Sequence, residues 1–185
     1  MGKRLFVSVD LDGLADEIAA VQDHFEDASG LNFVDPEQAH VTVKFLGDTD
    51  SERVEDLVGE LDAAVEDAGV DPFEAEFGGL GVFPSLDYIS VVWVGTRTGG
   101  EELTRLHEAV EERTTAMGFD AEDHEFTPHV TVARMEHAGD KSLVQEVVRG
   151  RDPDVGTLAV EEIRLKESTL GPDGPTYETV ERFPL

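Results

Sequence analysis

Ala39-His40-Val41-Thr42-Val43-Lys44-Phe45-Leu46 is an apolar strand whose alternate positions carry a histidine and a threonine. Its tetrapeptide His40-Val41-Thr42-Val43 returns as His129-Val130-Thr131-Val132. With this composition a second copy arises by chance about 1 time in 150, so the repeat is read as meaningful. Side chains alternate along a strand, so His40 and Thr42 share one face while Val41 and Val43 face the core. His129 and Thr131 repeat that arrangement, and each copy follows a proline, Pro36 or Pro128. Two such strands related by a pseudo-twofold axis would set two imidazoles and two hydroxyls around one cleft.

Working outward, apolar periodicity predicts strands over 4–9, 39–46, 73–83, 88–95, 126–135, 158–167 and 176–183. Helices are predicted from a cap at Asp10 to residue 27, from Asp50 or Ser51 to Gly69, over 101–117, and more weakly over 141–149. Residues 33–38 read as a loop and 171–175 as a turn. Gly78-Gly79 reads as a bulge or tight bend, since no helix follows to make it a phosphate cradle. The order reads as one unit used twice. It argues for an α+β domain over 1–185, with no linker inside it.

The composition narrows the function. Asp and Glu number 42 against 14 Lys and Arg, a net charge of −28, which leaves no basic face for duplex DNA. The chain is 39% hydrophobic in periodic blocks, so it is expected to fold rather than remain disordered. Acids spread along the whole length, with only four lysines, fit a protein of a high-salt cytosol. At 1 M salt the Debye length falls to ~3 Å and crowded carboxylates repel little. With no cysteine, thiol catalysis and Cys-ligated metals are ruled out. The short apolar run at 5–9 is neither a signal peptide nor a membrane span, and a cytoplasmic protein is expected.

Two histidines facing one cleft suit displacement at phosphorus. One imidazole takes a proton from the attacking oxygen while the other gives one to the leaving oxygen. Thr42 and Thr131 are placed to hydrogen-bond the non-bridging phosphate oxygens. The repeat is nearly symmetric, so the residues alone leave open which histidine is acid and which is base.

The doubled HxTx motif resembles the 2H phosphoesterase superfamily. The flanks 36–47 and 126–134 resemble its LigT-type RNA 2′,3′-cyclic phosphodiesterases, as do Arg4-Leu5-Phe6-Val7, Gly79-Leu80-Gly81-Val82-Phe83-Pro84 and Glu167-Ser168-Thr169-Leu170 with Gly174 and Tyr177. Ala39 and the motif valines depart slightly from the family pattern. The resemblance implies a bilobal fold with two antiparallel-rich sheets, helices outside, and one HxTx motif per pseudo-symmetric lobe beside a central cleft. It implies hydrolysis of a 2′,3′-cyclic phosphate, on an RNA 3′ end or a small nucleotide, to a 2′-phosphate. His129 would be the base and His40 the acid, with no metal or cofactor. Some members also join RNA ends through a 2′,5′ bond. The chain is expected to act as a monomer. The competing reading is a nucleotide- or RNA-end-binding module without turnover.

Other residues follow from spacing. Lys44, at i+4 from His40, is expected on the cleft face beside the phosphate. Arg134, at i+5 from His129, faces away under strict alternation unless a bulge redirects it. The family pattern nonetheless keeps an arginine there as a phosphate contact. Phe6 and Phe45 are assigned to the core; Phe83, Tyr88 and Trp93 are core or base-stacking aromatics. His24, His107, His124 and His137 are assigned to the surface. Residues 6–13 resemble the nucleophile motif of haloacid-dehalogenase-type phosphatases. However, Leu14 stands where a threonine belongs, Asp48 comes too soon for the acidic motif, and a helix cap at Asp10 explains the same residues.

Overall fold

The structure is a computed structural model that describes residues 2–172 and 174–185. Asp173, within the predicted turn 171–175, lies outside the described residues. In chain order the elements are β1 (Gly2–Asp10), α1 (Ala15–Asp23), β2 (Leu31–Phe33), β3 (His40–Asp50), α2 (Val54–Ala68), β4 (Phe73–Pro84) and β5 (Ile89–Thr98). There follow α3 (Gly100–Ala116), β6 (His129–Met135), α4 (Lys141–Gly150), β7 (Asp154–Val160), β8 (Glu162–Gly171) and β9 (Gly174–Pro184).

All the strand pairs are antiparallel. The order is β7-β4-β5-β6-β3-β1-β8-β9, with β2 beside β6. The two sheets expected from the sequence are thus hydrogen-bonded into one. The seam between them, β3 to β6, consists of the single register pair Val41–Val130. The helices cross this seam. α1, which leaves β1, packs on β6 and β7, whereas α3, which leaves β5, packs on β3 as well as β5. The two halves of the sheet, on either side of the seam, therefore share one core.

The helices form where the apolar period is 3.6. In α2 the buried Leu57, Leu61, Ala64, Val65 and Ala68 make one stripe, and Gly69 ends the helix in the left-handed region at φ 60°. That stripe packs on α3, whose Leu103, Leu106 and Val110 are also buried. In β4, Gly79 sits at φ 76° where the register to β5 shifts, which is the bulge expected of Gly78-Gly79.

Two expected elements differ. β1 runs through Asp10, and α1 starts only at Ala15. Asp10 caps no helix, because its carboxylate accepts from Arg164 (2.9 Å), Lys166 (2.8 Å) and the Ser8 hydroxyl (2.6 Å). The strand predicted over 158–167 is two strands, β7 on β4 and β8 on β1. Leu158 and Val160 are buried, and so are Ile163 and Leu165. Inward positions thus switch from even to odd at Glu161 and Glu162, as one straight strand cannot do.

Candidate active site

The pair Val41–Val130 sets the site. Antiparallel pairing there brings His40 toward Thr131 and Thr42 toward His129. The histidines are then diagonal neighbours, a spacing of about 7–8 Å for such pairs in general. His40, Thr42, His129, Thr131 and Arg134 all line one cavity of about 340 Å³. Its far wall is made by residues 32–35 and by Gly174 to Tyr177 of the β8–β9 hairpin. A larger open depression of about 940 Å³ lies beside it at the start of α3, and neither histidine lines it.

Each histidine is held in the same way. The Nδ1 of His40 lies 2.9 Å from the Gln38 carbonyl, and that of His129 lies 2.6 Å from the Thr127 carbonyl. A carbonyl only accepts, so Nδ1 carries the proton and Nε2 is left as the reactive nitrogen. Aromatic rings fix each imidazole from the side. Phe6 and Tyr177 stand 5.0 and 5.4 Å from His40, and Phe83 and Trp93 stand 4.9 and 5.7 Å from His129. Gln38 ties the first motif to β9 by accepting from the backbone N–H of Tyr177. Trp93 lies over Gly81, where any side chain would meet the indole.

Burial lowers the pKa of both imidazoles below the ordinary 6.5. At His40 the Gln38 carbonyl and the Asp10 charge work against that, while Lys166 and Arg134 add to it. At His129 the Thr127 carbonyl opposes, while Arg134 and His124 add. Asp10 is itself held below the usual carboxylate range. Burial would raise it, but the Lys166 and Ser8 hydrogen bonds and the nearby cations outweigh that.

A bulge follows each motif. In β3, Ser8 pairs with Thr42 and Val7 with Lys44, so Val43 is the extra residue. In β6, Trp93 pairs with Thr131 and Val92 with Ala133, so Val132 is extra. Two consecutive residues then point inward and the parity of the strand flips. Arg134 is therefore turned into the cavity, against strict alternation. Lys44 is turned out of it, which corrects the cleft-facing expectation. It is 1% exposed on the helix side of the sheet, where it binds Glu111 at 3.0 Å and the Asp120 carbonyl at 2.6 Å. Phe45, expected in the core, is 49% exposed under the Arg4 guanidinium.

The other aromatic and histidine placements fall only partly as expected. Phe6 is buried as expected, with its ring against His40. Tyr88 is 70% exposed, away from the cavity. His107 is buried rather than at the surface, whereas His24, His124 and His137 are exposed. The carbonyls of Gln38 and Thr127 escaped the sequence because any residue at those positions supplies one. Spacing from the histidines, two residues upstream in each case, is the only signal they leave.

An α+β domain with an HxT strand on each side of a single-pair seam defines a 2H-type phosphoesterase fold. A family model described as the 2′-5′ RNA ligase superfamily matches residues 11–170, and the chain belongs to that superfamily. Among curated relatives, proteins named RNA 2′,3′-cyclic phosphodiesterase match it closely. The Methanothermobacter thermautotrophicus protein is 35% identical over 190 residues, covering 100% of both chains. The Aeropyrum pernix protein is 40% identical over 151 residues, covering 81% of this chain and 84% of its own. Among solved structures, the Thermus thermophilus protein TT0787 superposes with a TM-score of 0.80 at 27% identity, covering 98% of this chain and 97% of that one. Escherichia coli LigT complexed with 3′-AMP shares the fold at a TM-score of 0.80 and 22% identity, over 100% and 99% of the two chains.

Proposed function

We propose that the cavity hydrolyses 2′,3′-cyclic phosphates, on RNA 3′ ends or small nucleotides, to 2′-phosphates by two-histidine acid–base catalysis. The observation that carries this is the pair of imidazoles in one cavity, each with Nδ1 tied to a carbonyl, beside Thr42, Thr131 and Arg134. The names carried by the relatives support the reaction class.

Nε2 of His129 takes a proton from water as the water oxygen bonds to phosphorus. The bond from phosphorus to O3′ breaks, and Nε2–H of His40 protonates the departing O3′. The two threonine hydroxyls and the Arg134 guanidinium hold the non-bridging oxygens, where charge accumulates. The same steps with a ribose 5′-hydroxyl in place of water form a 2′,5′ link: its oxygen bonds to phosphorus, its proton goes to His129, and O3′ departs with the proton of His40. Family resemblance supports the acid and base assignment, and no metal or cofactor enters any step. One chain carries both motifs, so a monomer suffices, and duplex DNA is not a substrate. Its setting is a high-salt cytosol; among the described residues no helix is long and apolar enough to cross a membrane.

The test is turnover of a nucleoside 2′,3′-cyclic phosphate in EDTA at high KCl. Wild type should produce the 2′-phosphate, and His40→Ala and His129→Ala should each lose at least about 10²-fold. Turnover that survives both substitutions, or that EDTA abolishes, removes the two-histidine mechanism. A wild type that binds nucleotide without turnover is instead a binding module.

A further inference from the structure

We propose that His107 is a positioning residue that locks the two motifs to each other; the inference rests on the catalytic reading above. His107 sits on α3, the helix that crosses the seam, and is 7% exposed. Its Nδ1 lies 2.7 Å from the Val43 carbonyl, the extra residue of the bulge that follows His40 and Thr42. The carbonyl fixes Nδ1 as the donor. The other side of the contact is the second motif. The imidazole stacks flat on Phe126, with centroids 4.2 Å apart and planes 5° apart. Phe126 directly precedes Thr127, whose carbonyl orients His129. One buried ring thus touches the strand of the first histidine and the segment that aims the second.

One turn further along α3, Glu111 repeats the connection. One carboxylate oxygen binds Lys44 of the bulged segment at 3.0 Å, and the other accepts from the Glu122 N–H at 3.0 Å. Lys44 donates in turn to the Asp120 carbonyl. The approach to β6 is therefore tied to the bulge of β3 at Asp120, Glu122 and Phe126. The opposite bulge has a counterpart: Gln22 of α1 donates to the Val132 carbonyl at 3.1 Å and to the Val34 carbonyl at 2.8 Å, on the segment that leads to the first motif. Acid–base catalysis across one phosphate needs both imidazoles at fixed separation, and errors near 1 Å cost on the order of 10²-fold.

Three variants separate the contacts at high KCl. His107→Leu loses donor and stack, His107→Asn keeps a donor near Nδ1, and His107→Phe keeps the stack. kcat for a nucleoside 2′,3′-cyclic phosphate should fall about 10-fold or more in His107→Leu, and less in each of the other two. KM should stay within about threefold, because the groups that hold the phosphate are untouched. A His107→Leu kcat within twofold of wild type, or losses that only track the folded fraction, overturn the proposal. Imidazole nitrogen NMR on wild type tests it without a variant. His107 should be the Nδ1–H tautomer with a slowly exchanging proton, and an Nε2–H tautomer overturns it. If His40→Ala and His129→Ala abolish turnover while His107→Leu does not, only the strut fails. If those two keep turnover, the catalytic reading fails instead.

Discussion

The charge of Arg134 acts on both imidazoles of the cavity. In a chain with 42 acids, its guanidinium makes no ion pair among the described residues and faces the cavity beside both imidazoles. Burial first, then Lys166 and Arg134 at His40 and Arg134 and His124 at His129, makes each histidine harder to protonate. The base must be neutral and the acid protonated, so lowering both pKa values leaves the base ready near neutral pH but depletes the acid. kcat/KM, which reports the free enzyme, should therefore peak below about pH 6.5 and decline toward pH 8. Arg134→Gln should lower kcat/KM and move its peak upward in pH, since one positive neighbour of both rings is gone. A wild-type peak above about pH 7.5, or a downward move in the variant, contradicts this account. A kcat/KM profile at constant KCl decides it.

Each motif strand is bent by one extra residue, and a helix side chain takes up the carbonyl of that residue. Gln22 performs this at Val132 and also donates to the Val34 carbonyl at 2.8 Å. Gln22→Leu leaves those acceptors without their donor, at a cost of about 1–3 kcal/mol. Urea unfolding at high KCl measures it, and a change within about 0.5 kcal/mol would mean that the bulge needs no such anchor. These bends mark the limit of what the sequence disclosed. His40, Thr42, His129 and Thr131 were legible because alternation holds across each tetrapeptide. Lys44 was misplaced because alternation counts residues, and a bulge consumes one without marking the sequence: Val43-Lys44 looks like ordinary strand. Arg134 needed family resemblance for the same reason. The α2 stripe and its glycine stop were legible because burial and period agree there. Asp10 was misread as a cap because its true partners, Arg164 and Lys166, are distant in sequence.

Across the whole molecule the charge is exterior and the few bases are mostly committed. Arg113 binds Glu60 and Asp67, Arg97 binds Asp152 and Asp154, and Arg164 binds Asp10, Asp12 and Glu162. The remaining carboxylates repel one another over ~10 Å at 0.1 M salt but over only ~3 Å at 1 M. The melting temperature should therefore rise strongly between 0.1 M and 3 M KCl, and an unchanged value would end the high-salt reading. The packing around His129 also has an optical consequence. The chain has one tryptophan, and its indole stands 5.7 Å from the His129 ring, whereas the aromatic neighbours of His40 are Phe6 and Tyr177. Protonated imidazole quenches indole emission, so the unlabelled protein carries a lamp set against His129, the histidine in ring contact with it. Its fluorescence titration should follow the proton on His129, and His129→Ala should remove that step.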